Sequence, residues 1–214
     1  MIYLIAAGIV VLAYLYGCFS TARIVAKGFR SLDIYKVGTG LADTENIYAN
    51  ISRPLGVLVG ALDMAKAYLF MKVIELLLIL LEGTQLIPGV GKIHAMNYML
   101  LYGLAMLVGH CLPATHRFRG VRGIFTYTGF MLYFSPYPIL ITLGIAWIVV
   151  AKFKQIRFAQ YLIVILPVIL TQVLYSFIPI FRKEVPPYFV GMMLGVALFM
   201  GVLNFMVSKK LGEL

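Results

Sequence analysis

The chain is poor in charge, and poorer still in acid. Of 214 residues only 12% are charged, with 8 Asp or Glu against 18 Lys or Arg, while 62% are hydrophobic. A soluble domain of this size could not hide that much apolar surface, so the composition excludes that class and implies a polytopic membrane protein. Cysteine is nearly absent. Cys18 and Cys111 flank different loops and form no CxxC, so they read as small buried thiols and not as a disulfide or metal site. The three histidines show neither HxxxH nor HExxH spacing and give no metal signal. No Gly-Lys-Ser/Thr follows the glycine-rich loop, so it is not a Walker loop. Ile2–Val25 lacks a basic leading region and is expected to remain as a span. With no repeat, low-complexity tract or long linker, residues 1–214 are expected to form one integral membrane domain.

What is present is a series of apolar runs, at about 2–22, 55–81, 95–113, 124–134, 138–151, 159–180 and 187–207. Several approach the roughly 20 residues needed to cross the hydrocarbon. The fourth and fifth are either one span kinked at Ser135-Pro136-Tyr137-Pro138 or two short helices joined there. Basic residues decide between them: they cluster at Arg23–Arg53, at Arg117, Arg119 and Arg122, at Lys152, Lys154 and Arg157, and at Lys209 and Lys210. Two helices place all four clusters on one face. The positive-inside bias therefore predicts an all-α fold of about seven transmembrane helices, N-terminus outside and C-terminus cytoplasmic. The outer connections are then Glu82–Lys92, Ser135–Pro138 and Phe181–Pro187. The net charge of +10 falls between apolar spans and fits topology signals and anionic lipid headgroups, with no nucleic-acid partner.

Two inner loops concentrate the chemistry. Gly38-Thr39-Gly40 leads to Asp43, Thr44, Glu45 and Asn46; two glycines around a hydroxyl can turn backbone N–H groups toward an anion, with Asn46 as a neutral donor. The same residues would also suit a polar turn in which Asp43 or Thr44 caps the second span. Phe118-Arg119-Gly120-Val121-Arg122-Gly123 sets two guanidiniums among glycines just before a helix, with Thr126 in its first turn. That is a donor-rich oxyanion site, or an arginine anchor at the inner face. His110 stands at the inner end of the third span, where it bonds a neighbouring carbonyl or acts as a base. Asp63 and Lys66, three apart and deep in the second span, are expected to pair inside the bundle. Lys72 and Glu75 repeat the spacing further out, and Lys66 is the nearer to a site.

At these residues the chain resembles the bacterial acyl-phosphate:glycerol-3-phosphate acyltransferases, the PlsY family. Its first motif, G-S-G-N-x-G-A-T-N, is matched in length by Gly38–Asn46, with both glycines, a hydroxyl and the final Asn. Gly56, Asp63 and Lys66 match its G-x-x-x-x-x-x-D-x-x-K. Gly109–Thr126 aligns without a gap on G-H-x-F-P-x-x-x-x-F-K-G-G-K-G-V-A-T, with arginines at 119 and 122 for the lysines. Leu41 replaces the family's Asn, Asp43-Thr44-Glu45 its Gly-Ala-Thr, and Ala49 its Arg; the C-terminal segment keeps only Asn204. The resemblance implies acyl transfer from acyl phosphate to the sn-1 hydroxyl of glycerol 3-phosphate in an inner (plasma) membrane, without metal or cofactor. It also implies membrane lipids as partners and functional coupling to the enzyme that forms acyl phosphate. On this reading Thr39, Asn46 and His110 act in catalysis. Gly38, Gly40, Glu45, Arg119, Gly120, Arg122, Gly123, Thr126 and Asn204 form the substrate- and phosphate-binding site, in which the Glu45 carboxylate opposes normal phosphate affinity. A catalytically impaired paralogue that binds anions or lipids is the alternative, and a small-anion transporter is more distant.

Overall fold

A computed structural model of the chain describes residues 1–119, 121–178 and 188–212, and these contain only helices and connections. The expected runs appear as α1 (Ile2–Gly17), α4 (Arg53–Gly83), α6 (Met96–Cys111), α7 (Ile124–Phe134), α8 (Pro136–Ile148), α9 (Ile156–Phe177) and α10 (Phe189–Lys210). Short helices α2 (Thr21–Arg30), α3 (Thr44–Asn50) and α5 (Val90–His94) join them, and a π turn, Val149–Phe153, extends α8. Among the described residues, five stretches are long and apolar enough to cross a membrane: Ile2–Arg30, Met96–His116, Pro136–Phe153, Ile156–Phe177 and Phe189–Lys210. The 31-residue α4 has the length, but Asp63, Lys66, Lys72 and Glu75 interrupt its apolar surface. The expected outer connection at Phe181–Pro187 lies outside the described residues.

The first run does not continue to residue 22 as one helix. It ends at Gly17, and Ser20 starts α2 by accepting the Arg23 N–H at 3.2 Å. Helix α2 buries Ala22, Val25 and Ala26 and exposes Arg23, Lys27 and Arg30 beside Ile24 and Phe29. This is the pattern of a helix lying along an interface.

Lipid supplies no hydrophobic force to press helices together, so small residues must admit close packing. A Cβ on Gly17 would lie 2.1 Å from the Met106 carbonyl oxygen, and one on Gly109 would lie 2.1 Å from that of Tyr14. The α1 and α6 backbones therefore touch where the site begins. Tyr14 strengthens this contact by donating to Leu112 O at 2.9 Å and accepting from Ala114 N at 3.1 Å. The main core joins α1, α4, α6, α7, α9 and α10 around buried Tyr102, Tyr127, Phe130 and Phe134. A second, smaller core of Ala22, Val25, Ile34, Ala42, Ile47 and Val59 seats the Gly38–Asn46 loop on α4.

Candidate active site

The Gly38–Asn46 loop is built around Asn46, which is fully buried. Its amide nitrogen donates to Val37 O at 3.0 Å and Leu41 O at 2.8 Å. Its oxygen accepts from Thr39 N at 3.1 Å and Asn50 Nδ2 at 2.9 Å. Gly38 and Gly40 are both left-handed, and a Cβ on Gly38 would collide with the Asn46 and Asn50 amides. Asn46 thus ties the loop together instead of presenting a free amide, and Thr39 contributes its N–H and hydroxyl to the same fold. Asp43 caps α3, a short helix of its own packed on the second span: its Oδ1 accepts Asn46 N at 2.9 Å. Its Oδ2 is buried without a partner among the described residues. Burial pushes this carboxyl up to about 6; the Asn46 N–H opposes the shift, Glu45 adds to it, and Arg122 and Arg157 oppose it.

The arginine loop returns to the end of α6 through Val121 N, which donates to Cys111 O at 3.0 Å. Gly123 turns the chain into α7 at φ +67°, a conformation favouring glycine. The loop separates its two arginines. Arg119 is exposed and packs over the Tyr35 ring, 5.0 Å from its centroid. Arg122 is buried: Nη1 donates to Glu45 Oε2 at 2.8 Å and Nη2 to Ser208 Oγ at 3.3 Å. The two guanidiniums therefore have different partners, Tyr35 for Arg119 and Glu45 with Ser208 for Arg122. Gly120 lies outside the described residues.

Arg157 and Gln160, read in the sequence only as basic inner-face chain and helix, complete the arrangement. Arg157 Nη1 and Gln160 Nε2 donate to Glu45 Oε2 at 2.7 and 3.2 Å, so three side chains converge on one oxygen. Burial would raise the Glu45 carboxyl, but the Arg157 hydrogen bond, the two guanidinium charges and the Gln160 amide outweigh it and hold it below the usual range. Asn204 Nδ2 donates to Met200 O at 2.8 Å and reaches Arg122 O at 3.5 Å, supporting the arginine from behind. Thr126 is buried beneath, and its hydroxyl has no partner among the described residues.

Asp43, Glu45, Asp63, His110, Arg122, Gly123 and Gln160 line one cleft of about 30 Å³, space for a water or two. The deep charges meet it from the other side. Lys66 Nζ is 3.8 Å from Asp63, donates to Phe19 O at 2.8 Å and lies 3.3 Å from His110 Nδ1; Thr21 hydrogen-bonds the Asp63 carboxylate. With Lys66 donating to Nδ1, the imidazole proton sits on Nε2, which is then a hydrogen-bond donor. Lys66 also closes a wide apolar groove with Leu12, Leu15, Tyr16, Leu62 and Leu69.

The sequence model described as glycerol-3-phosphate acyltransferase matches residues 7–209. The glycerol-3-phosphate acyltransferase of Thermoanaerobacter pseudethanolicus is 31% identical over 146 residues, 68% of this chain and 66% of its own. That of Trichormus variabilis is 30% identical over 145 residues, 67% of this chain and 64% of its own. For Staphylococcus aureus the figures are 28% over 174 residues, 78% and 79%. The matched stretch thus spans just under two thirds of the length of the first two relatives. The crystal structure of PlsY, an integral membrane glycerol 3-phosphate acyltransferase, shares the fold in its glycerol 3-phosphate form with a TM-score of 0.70. It is 21% identical, and the match covers 96% of this chain and 88% of that one. Matched over nearly its whole length, this chain belongs to the glycerol-3-phosphate acyltransferase family.

Proposed function

We propose that the protein transfers a fatty acyl group from acyl phosphate to the sn-1 hydroxyl of glycerol 3-phosphate, forming lysophosphatidate at the cytoplasmic face of the inner (plasma) membrane. The carrying observation is the meeting of the two inner loops and α9 at an anion held by Arg122, Arg157 and Gln160. It lies on the same cleft as Asp63 and His110. An anion seat on one side and an apolar groove closed by Lys66 on the other suit a polar phosphate acceptor and a long-chain donor.

In this reading the acyl chain lies along Leu12, Leu15, Leu62 and Leu69, and the acceptor phosphate takes the arginine seat. The acceptor hydroxyl attacks the acyl carbon, the acyl–phosphate C–O bond breaks, and inorganic phosphate leaves. Acyl phosphate is already activated, so the protein's main tasks are placement and charge stabilisation. Lys66 and the Nε2–H of His110 face the negative charge that develops. Asp43 Oδ2, the buried oxygen without a partner on the cleft wall, accepts the hydroxyl proton. Thr39, Asn46 and Asn204 hold the two loops and Arg122 in place, with Gly38, Gly40 and Gly123 allowing the turns. The test is direct: purified protein given acyl phosphate and glycerol 3-phosphate yields lysophosphatidate by mass spectrometry. Absence of product across acyl-chain lengths would refute the reading.

A further inference from the structure

The arginine seat is already filled by a residue of the chain itself. Glu45 Oε2 takes hydrogen bonds from Arg122, Arg157 and Gln160 at 2.7–3.2 Å, which is how a bound phosphate oxygen would be held. With that carboxylate in place the cleft has room for water but none for a polyol phosphate. Glu45 stands in the first turn of the short helix α3, and its side chain keeps 28% of its surface exposed, so a path to solvent is open beside it. Where the family motif has Thr, this chain has a carboxylate that pairs with both guanidiniums.

We infer that Glu45 is a displaceable internal anion: it occupies the acceptor's phosphate seat, and the acceptor enters by exchanging with it. The two guanidiniums are never left without a counter-charge, because one anion leaves as another arrives. Apparent affinity is lowered because each ligand must displace the Glu45 carboxylate from its three donors, which makes Glu45 a determinant of acceptor affinity. The ligand's identity rests on the acyltransferase reading; the exchange itself does not.

Two other roles give different results. A Glu45 that only props up the arginines would, when removed, let them collapse and weaken anion binding. A Glu45 that stays in place beside the ligand and repels it would cost a dianion more than a monoanion. Exchange costs every anion the same factor, since the competing carboxylate is gone when the ligand is bound.

The experiment is calorimetric titration of detergent-purified wild type, Glu45→Thr and Glu45→Gln at pH 8. The ligands are glycerol 3-phosphate, a dianion, and its methyl phosphodiester, a monoanion. Monodisperse elution and unchanged circular dichroism qualify each variant, and the polar Thr and Gln substitutions differ enough in size for one to serve where the other misfolds. Exchange predicts that both ligands tighten by a common factor of about ten, with KM for the acceptor falling in parallel. Unchanged or weaker binding overturns the proposal, and so does a larger gain for the dianion. Lysophosphatidate formation is followed in the same samples. Tighter binding without product would sink the acyltransferase reading and leave exchange standing. Turnover without tighter binding would sink exchange alone, and no binding by any of the three proteins overturns both.

Discussion

Asp43 and Glu45 sit two residues apart on one loop, yet their environments move them in opposite directions. Glu45 is surrounded by donors and held below the usual carboxylate range, whereas burial raises Asp43 to about 6. For Asp43 the folded value exceeds the unfolded one, so the fold binds the extra proton between about pH 4 and 6. Its contribution is therefore full below about 4 and is lost as pH rises through 6. Asp43→Asn keeps an N-cap side chain and removes the buried charge. It should raise stability at pH 8 by up to about 3 kcal/mol, read as a higher thermal midpoint, and flatten the fall between pH 4 and 6. If Asp43 takes the proton, kcat should drop at the same time. A variant that is stabilised and still fully active would remove Asp43 from the chemistry. The two arginines give a second contrast. In the Glu45→Thr background, where no internal carboxylate competes for the seat, Arg122→Gln or Arg157→Gln should each weaken glycerol 3-phosphate binding by roughly 1.5–3 kcal/mol, the size of a lost hydrogen bond to a charged group. Arg119→Gln, which loses its packing over Tyr35 and no seat contact, should change it far less. Equal losses at 119 and 122 in the same titration would restore the paired-arginine site.

The elements that place these residues were partly legible in the sequence. Apolar runs separated by basic loops gave the major helices within a few residues, because lipid exposure leaves little freedom in how a span begins and ends. The break after Gly17 was missed because Phe19, Ile24 and Val25 keep the stretch apolar through the turn. Arg157 and Gln160 were missed for a different reason. Their partner is more than 110 residues away, and a basic residue at an inner helix end already has a sufficient explanation as a topology signal. Arg119 and Arg122 could not be ranked by spacing, since the loop's turns decide which faces inward. The glycine contacts between α1 and α6 make a sharper test at this scale. Gly109→Ala must push apart two backbones and disturb its neighbour His110, so it should cost about 1–3 kcal/mol in thermal stability and lower activity. Gly8→Ala, which meets nothing within 4 Å, should leave the midpoint unchanged or raised. A Gly109→Ala protein as stable as wild type would show that α1 and α6 do not pack this closely.

For the whole molecule the same carboxylate bears on topology. Arg122 precedes α7 and Arg157 opens α9, yet both reach Glu45, so the chain from 124 to 156 leaves and returns to one face. That return supports two segments, α7 and α8, turning at Ser135-Pro136, over a single kinked span. Helix α7 has 11 residues, roughly 16 Å at 1.5 Å per residue, well short of a 30 Å hydrocarbon core. It is buried along most of its length against neighbouring helices, as a short segment must be if it is not to meet lipid alone. We therefore expect seven segments, with the N-terminus and Ser135–Pro138 outside and Lys154 and Lys210 in the cytoplasm. Single cysteines at 137, 154 and 210, in a background with Cys18 and Cys111 replaced by Ala, can be probed with a membrane-impermeant maleimide. Position 137 should label in intact cells, and 154 and 210 only after permeabilisation. Labelling at 154 in intact cells would put Arg157 on the far side from Arg122 and break the shared seat, and with it the site as drawn.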